Sequence, residues 1–87
     1  MPHEISDLRL FTRVVSAGSL SEAARRLNSS LPAVSRNLAA LEARLGVRLI
    51  DRASRRFAVT AEGSLLFERA VAILNDLVDK ITHLSPI

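Results

Sequence analysis

The chain of 87 residues contains no cysteine, no tryptophan and no tyrosine, and only three each of phenylalanine, glycine and proline. Without cysteine there is no disulfide framework and no thiolate chemistry. With so few aromatic side chains, the stacking platforms of a single-strand or RNA-binding surface are missing. No run of roughly eighteen apolar residues occurs, and Glu4 and Asp7 stand where a secretory signal would be basic. No membrane partner is expected, and the simplest location is cytoplasmic. The two histidines, His3 and His83, lie at opposite ends of the chain. Carboxylates are not clustered at metal-ligand spacing, and glycines fall singly rather than in a phosphate loop. An enzyme, a metal site and a bound cofactor are therefore not expected.

What is present is apolar residues and arginine. Apolar residues make up 48% of the chain, enough for one small core that association with a second copy would strengthen. The net charge of +3 is unevenly spread. Residues 1–60 hold ten arginines against five acids, a net +5, whereas residues 61–87 hold Arg69 and Lys80 against four acids, a net −2. The basic part is the candidate face for a polyanion. Eleven of the twelve cations are arginine, whose planar fork suits bidentate contact with phosphate or guanine. Arg48, Arg52, Arg55 and Arg56 fall together.

The apolar pattern predicts four helices. Ile5, Leu8, Phe11 and Val15, widened by Leu10 and Val14, give a first helix over about 4–17, ended by Gly18. Ser19 with Glu22 forms a capping box for a second helix, whose inner face is Leu20, Ala23, Ala24 and Leu27. Asn28 and Ser29 make a turn. Ser30 then caps a third helix with Pro32 in its first turn. That helix puts Val34, Leu38, Leu41 and Leu45 on its core face and is stopped by Gly46. The period then changes: residues 48–51 and 56–59 read as two short strands joined by residues 52–55. Thr60 caps a fourth helix over about 61–83, and Pro86 marks its exit.

This is a mainly α fold: a winged helix-turn-helix with a three-helix core and a two-stranded wing over residues 1–60, followed by a long linker helix in residues 61–87. A helix with one face in the core and small polar and cationic groups on the other suits the major groove of double-stranded DNA. Ser35 and Arg36 follow core-facing Val34 and are the leading base contacts. Pro32 and Ala33 can touch thymine methyls, although Pro32 is equally explained as a helix starter. Asn37 faces either DNA or solvent. Ser30 is a cap whose backbone could meet a phosphate. At the wing, Arg52, Arg55 and Arg56 suit phosphate or a narrow minor groove, with Arg55 nearest the tip. Arg52 has an alternative, pairing with Asp51 or Glu42 to brace the wing. Along the fourth helix, Leu66, Ala70, Ile73, Leu74, Leu77, Val78, Ile81 and Leu84 form an apolar stripe that a second copy would cover, the alternative being a core helix of the single chain. A homodimer through helix 61–83 would read an interrupted dyad. The rival reading is a helical interaction or dimerisation module without a DNA role.

These residues resemble the N-terminal domain of LysR-type transcriptional regulators. The likeness runs through Leu8, Phe11, Gly18-Ser19, Ala23-Ala24, Leu27, Ser30, Pro32-Ala33-Val34-Ser35-Arg36, Leu41-Glu42, Leu45-Gly46-Val47, Leu49, Arg52 and Thr60 to Gly63. Leu31 stands where the family often has glutamine and offers a thymine-methyl contact instead. Ile50 replaces a common phenylalanine, and Ala53 a common threonine. The resemblance implies antiparallel pairing of the fourth helix and a small-molecule effector bound only by a C-terminal domain absent from this chain. The chain then corresponds to the DNA-binding domain and linker helix of a longer regulator.

Overall fold

The computed structural model describes the backbone of residues 2–53 and 56–84 and the side chains of residues 6–53 and 56–76. Its elements are α1 (Pro2–Ala17), α2 (Leu20–Arg26), α3 (Leu31–Leu45), β1 (Ile50–Asp51), β2 (Ala58–Val59) and α4 (Ala61–Leu84). The two strands pair antiparallel, Ile50 opposite Val59 and Asp51 opposite Ala58. Each strand is two residues long, shorter than the four-residue runs expected from the sequence.

The helix ends follow from local chemistry. Gly46 at φ 73° closes α3, with its N–H donating to the Glu42 carbonyl at 2.8 Å. Asn28 turns the chain between α2 and α3 at φ 54°, a left-handed conformation that asparagine tolerates better than most residues. The Ser19 hydroxyl accepts the Glu22 N–H at 3.0 Å, which is half of the expected capping box. The other half is absent. The Glu22 carboxylate turns instead to Arg25 and Arg26, with both guanidinium Nε atoms at 3.0 Å. Hydrogen bonding to Arg25, then to Arg26, holds its pKa below the usual range.

The core is built where α1, α2 and α3 meet the base of the wing. Phe11, Val14, Ala23, Ala24, Val34, Leu38, Leu41, Leu49 and Ile50 are buried together. Ala23 and Ala24 leave no bulk between α2 and its neighbours, so the helices approach closely. An Arg44–Asp7 ion pair ties α3 to α1 at the surface. Leu45, expected on the core face, is 46% exposed. The buried residue of the last turn of α3 is Glu42. The helix after residue 60 packs on α1 and β2, with Ala70 wholly buried and Leu66 and Phe67 against the core.

Candidate nucleic-acid interface

The N-terminal half of α3 is anchored on one side and open on the other. Val34, Leu38 and Leu41 are sealed in the core. Leu31, Pro32, Arg36 and Asn37 are exposed, and Ala33 and Ser35 are half-buried. The Ser30 hydroxyl is exposed but occupied as a cap, accepting the Ala33 N–H at 3.2 Å. The first turn of α3 carries no acid, so nothing offsets its positive dipole end. Of the expected base-facing residues, Leu31, Pro32, Arg36 and Asn37 are thus open to solvent.

The wing base lies beside the C-terminal half of the same helix, held by Glu42. This carboxylate is buried, and its Oε2 accepts the N–H groups of Leu49 at 2.7 Å and Ile50 at 3.2 Å. Its Oε1 faces Arg52 Nη1 at 2.8 Å and Arg48 Nη1 at 3.8 Å. The Arg52 contact is ionic rather than an aligned hydrogen bond. Burial pushes the Glu42 pKa up, but the Leu49 and Ile50 N–H donors and Arg52 outweigh it and leave the group below its ordinary value. Of the two partners open to Arg52 in the sequence, the structure thus selects Glu42. Asp51 instead accepts the Ala53 N–H at 2.9 Å and shapes the turn into the wing. Arg56 is exposed; Arg55 lies outside the described residues.

From the other side, Thr60 locks the wing base to α4. Its N–H donates to the Leu49 carbonyl at 3.0 Å, and its hydroxyl donates to the Arg48 carbonyl at 2.6 Å. The same hydroxyl accepts the Gly63 N–H at 3.0 Å, the cap expected of Thr60.

The apolar stripe of α4 divides. Ala70 is fully buried within the chain, so its expected place in a dimer seam is corrected: it belongs to the chain's own core. Leu66 is half-buried on that core. Leu74 is half-buried beside Arg9, Thr12 and Arg13 of α1. Ile73 is 48% exposed and Leu65, which the stripe omitted, is 52% exposed. The side chains of Leu77, Val78, Ile81 and Leu84 lie outside the described residues.

The sequence offers Glu42 only as one possible partner of Arg52; its burial, its bonds to the Leu49 and Ile50 N–H groups and the close contact at Gly63 were not singled out. Glu42 has a signal, because it sits four residues after Leu38, on the apolar stripe, where an ionisable residue needs buried partners. Among the described residues there is no group of three or more potential metal ligands, and no helix is long and apolar enough to cross a membrane.

A model of the family described as bacterial regulatory helix-turn-helix protein, lysR family, matches residues 5–64. The chain is 45% identical over 76 residues to an uncharacterized HTH-type transcriptional regulator of the ibpB-leuC intergenic region of Azotobacter vinelandii, covering 87% of this chain and 53% of that one. It is 40% identical over 78 residues to the HTH-type transcriptional regulator CrgA of Neisseria meningitidis, covering 90% of this chain and 26% of that one. The chain thus spans about half the length of the first relative and about a quarter of the second. Among solved structures, the BenM DNA-binding domain in complex with benA site 1 DNA matches with a TM-score of 0.88 at 31% identity, covering 92% of this chain and 90% of that one. The structure of CrgA from Neisseria meningitidis matches with a TM-score of 0.76 at 39% identity, covering 91% of this chain and 27% of that one. With four helices, a two-stranded wing and a family match over most of its length, the chain belongs to the lysR family of bacterial regulatory helix-turn-helix proteins.

Proposed function

We propose that the chain is the DNA-binding part of a cytoplasmic transcriptional regulator and binds double-stranded DNA sequence-specifically. In this reading α3 enters the major groove through Leu31, Pro32, Ala33, Ser35, Arg36 and Asn37. The wing, with Arg56 and Arg55, lies on the backbone or the adjacent minor groove. The observation that carries the reading is the open N-terminal half of α3: exposed Arg36 and Asn37 on a helix whose opposite face is fixed by Val34, Leu38 and Leu41. The likeness to a domain solved on DNA supports it.

Two such chains pair through α4 in this reading, and exposed Ile73 and Leu65 are surfaces that pairing would cover. Two-fold symmetry then presents two recognition helices to one side of an interrupted dyad. Selection from a random duplex pool, followed by anisotropy titrations across salt, tests the DNA reading. Binding should weaken steeply with salt and the selected sites should carry a dyad. Duplex binding that is absent even at low salt would leave the interaction-module reading. Sedimentation of the parent and Ile73→Asp tests pairing, since an unpaired carboxylate in the seam should yield monomers. A parent already monomeric at the concentration where it binds the full dyad rejects it.

A further inference from the structure

The wing is too small to hold itself in place. Its strands contribute two residues each, and an isolated two-stranded hairpin is marginal at best. Its base is fixed by a side chain from α3. Glu42 is 6% exposed, and a carboxylate withdrawn from water is costly unless its oxygens are met. Among the described residues, the groups that meet it come from the wing base: the N–H groups of Leu49 and Ile50 and the guanidiniums of Arg52 and Arg48. Glu42 is also six residues after Arg36 on the same helix. One side chain therefore references the wing to the helix that carries the candidate base contacts.

Arg52 supplies the second half of the argument. A phosphate contact needs a guanidinium turned to solvent. The Arg52 side chain is 36% exposed against 71% for Arg48, and its Nη1 lies 2.8 Å from the buried carboxylate. We propose that Glu42 is a positioning residue of the DNA interface, setting the wing's place relative to α3, and that Arg52 acts on DNA through Glu42 rather than by a contact of its own. This rests on the DNA-binding reading above and removes Arg52 from the direct contacts expected from the sequence.

The sign of one substitution separates the two roles. Glu42→Gln keeps the shape of the side chain and removes a negative charge from a DNA-binding face. Charge alone makes it bind tighter, whereas loss of positioning makes it bind weaker. We expect Glu42→Gln and Arg52→Gln each to bind the selected duplex about tenfold more weakly, within the coupling range of residues in one ion-pair network. The double variant should be no worse than the weaker single. In the free protein, hydrogen exchange of the Leu49 and Ile50 amides should quicken in both singles, a change that loss of a phosphate contact alone would not produce. Unchanged or tighter binding by Glu42→Gln, or losses that multiply in the double variant, overturns the proposal. If Glu42→Gln fails to fold, Arg52→Gln decides alone: weaker binding with undisturbed Leu49 and Ile50 exchange makes Arg52 a direct contact. A parent that binds no duplex removes the DNA reading and the proposal with it, while exchange in the free Arg52→Gln protein still reports the Glu42 tie as a feature of the fold.

Discussion

Gly63→Ala sets two physical effects against each other. Gly63 lies in the first turn of α4, where alanine is favoured over glycine by at most about 1 kcal/mol. Propensity alone makes the substitution stabilising. Packing says the reverse. A Cβ at Gly63 would fall 2.3 Å from the Leu49 carbonyl oxygen, 2.7 Å from Val59 Cγ1 and 3.1 Å from the Leu49 carbonyl carbon. The Val59 methyl can rotate, but the Leu49 oxygen cannot step aside as a side chain does. It belongs to a backbone that Glu42 holds through the Leu49 N–H, and it accepts the Thr60 N–H at 3.0 Å. Overpacking costs about 1–3 kcal/mol, and a contact this short belongs near the top of that range. After subtracting the propensity gain, the expected loss is about 2 kcal/mol. In a domain of this size each kcal/mol moves Tm by about 4–8 °C, so Gly63→Ala should melt about 8–16 °C below the parent. Thermal melts followed by circular dichroism, at one fixed protein concentration, measure this. Ala72→Gly, at an exposed position on the same helix, calibrates propensity alone and should cost about 1 kcal/mol. A Gly63→Ala protein that melts at or above the parent refutes the close approach of α4 to the wing base.

Three further outcomes are expected. Ala24, 4% exposed in the core, should not accept a larger side chain: Ala24→Leu should cost about 1–3 kcal/mol, and an unchanged Tm would show that the site is roomier than the packing indicates. Arg36→Ala should cost about 1–3 kcal/mol on the selected duplex and relax discrimination at one base pair, whereas equal losses on selected and scrambled duplexes would remove its base-reading role. The stability gap between the parent and Glu42→Gln should depend on pH. Burial raises the Glu42 pKa, but the Leu49 and Ile50 N–H groups and Arg52 more than offset this and hold it below 4.5. A depressed carboxylate stabilises the fold above its unfolded pKa, and that contribution fades as pH falls through the folded value. The gap should therefore be level at neutral pH and close on acidification below about 4.5; a gap that stays constant into strong acid contradicts the assignment.

The helices α2 to α4 were legible because each carries its own start and stop; α1 has only the stop at Gly18 and begins two residues before the apolar period indicates. Ser30 and Pro32 opened α3 and Gly46 closed it, and the observed bounds, Leu31–Leu45, follow those signals. Thr60 likewise marked the start of α4 at Ala61. Local signals of this kind act within a turn of the chain, so no tertiary knowledge is needed to read them. Sequence and structure part where a distant segment decides. Leu45 fits the apolar period of α3 but is 46% exposed, and the buried position in the last turn is Glu42, which the wing base covers. Ala70 fits a stripe facing a second copy, yet it is wholly buried within the chain, on a helix that packs against α1 and β2. Glu22 satisfies the spacing of a capping box, but two arginines within one turn compete for its carboxylate and win.

The candidate site divides along α3 in the same way. Its N-terminal half could be placed from the sequence, because exposure there is the complement of the Val34, Leu38 and Leu41 period. Its C-terminal half was legible only in part: the sequence offers Glu42 as one possible partner of Arg52, but not its bonds to peptide groups seven and eight residues further along. An apolar side chain at that position would bury as readily, but hydrophobic contact has no direction and would not fix which peptide groups lie above it. A carboxylate does, because each oxygen must find its donors or pay the cost of desolvation. The arrangement makes one helix both reader and reference: substitutions near Arg36 should alter which bases are preferred, and substitutions near Glu42 should alter how well the wing engages whatever sequence is bound. Profiles of Arg36→Ala and Glu42→Gln across a panel of single-base duplex variants should therefore differ in kind, the first changing at one position and the second falling nearly in parallel across all of them. Parallel profiles for both would mean that the two halves of α3 do not have separate roles.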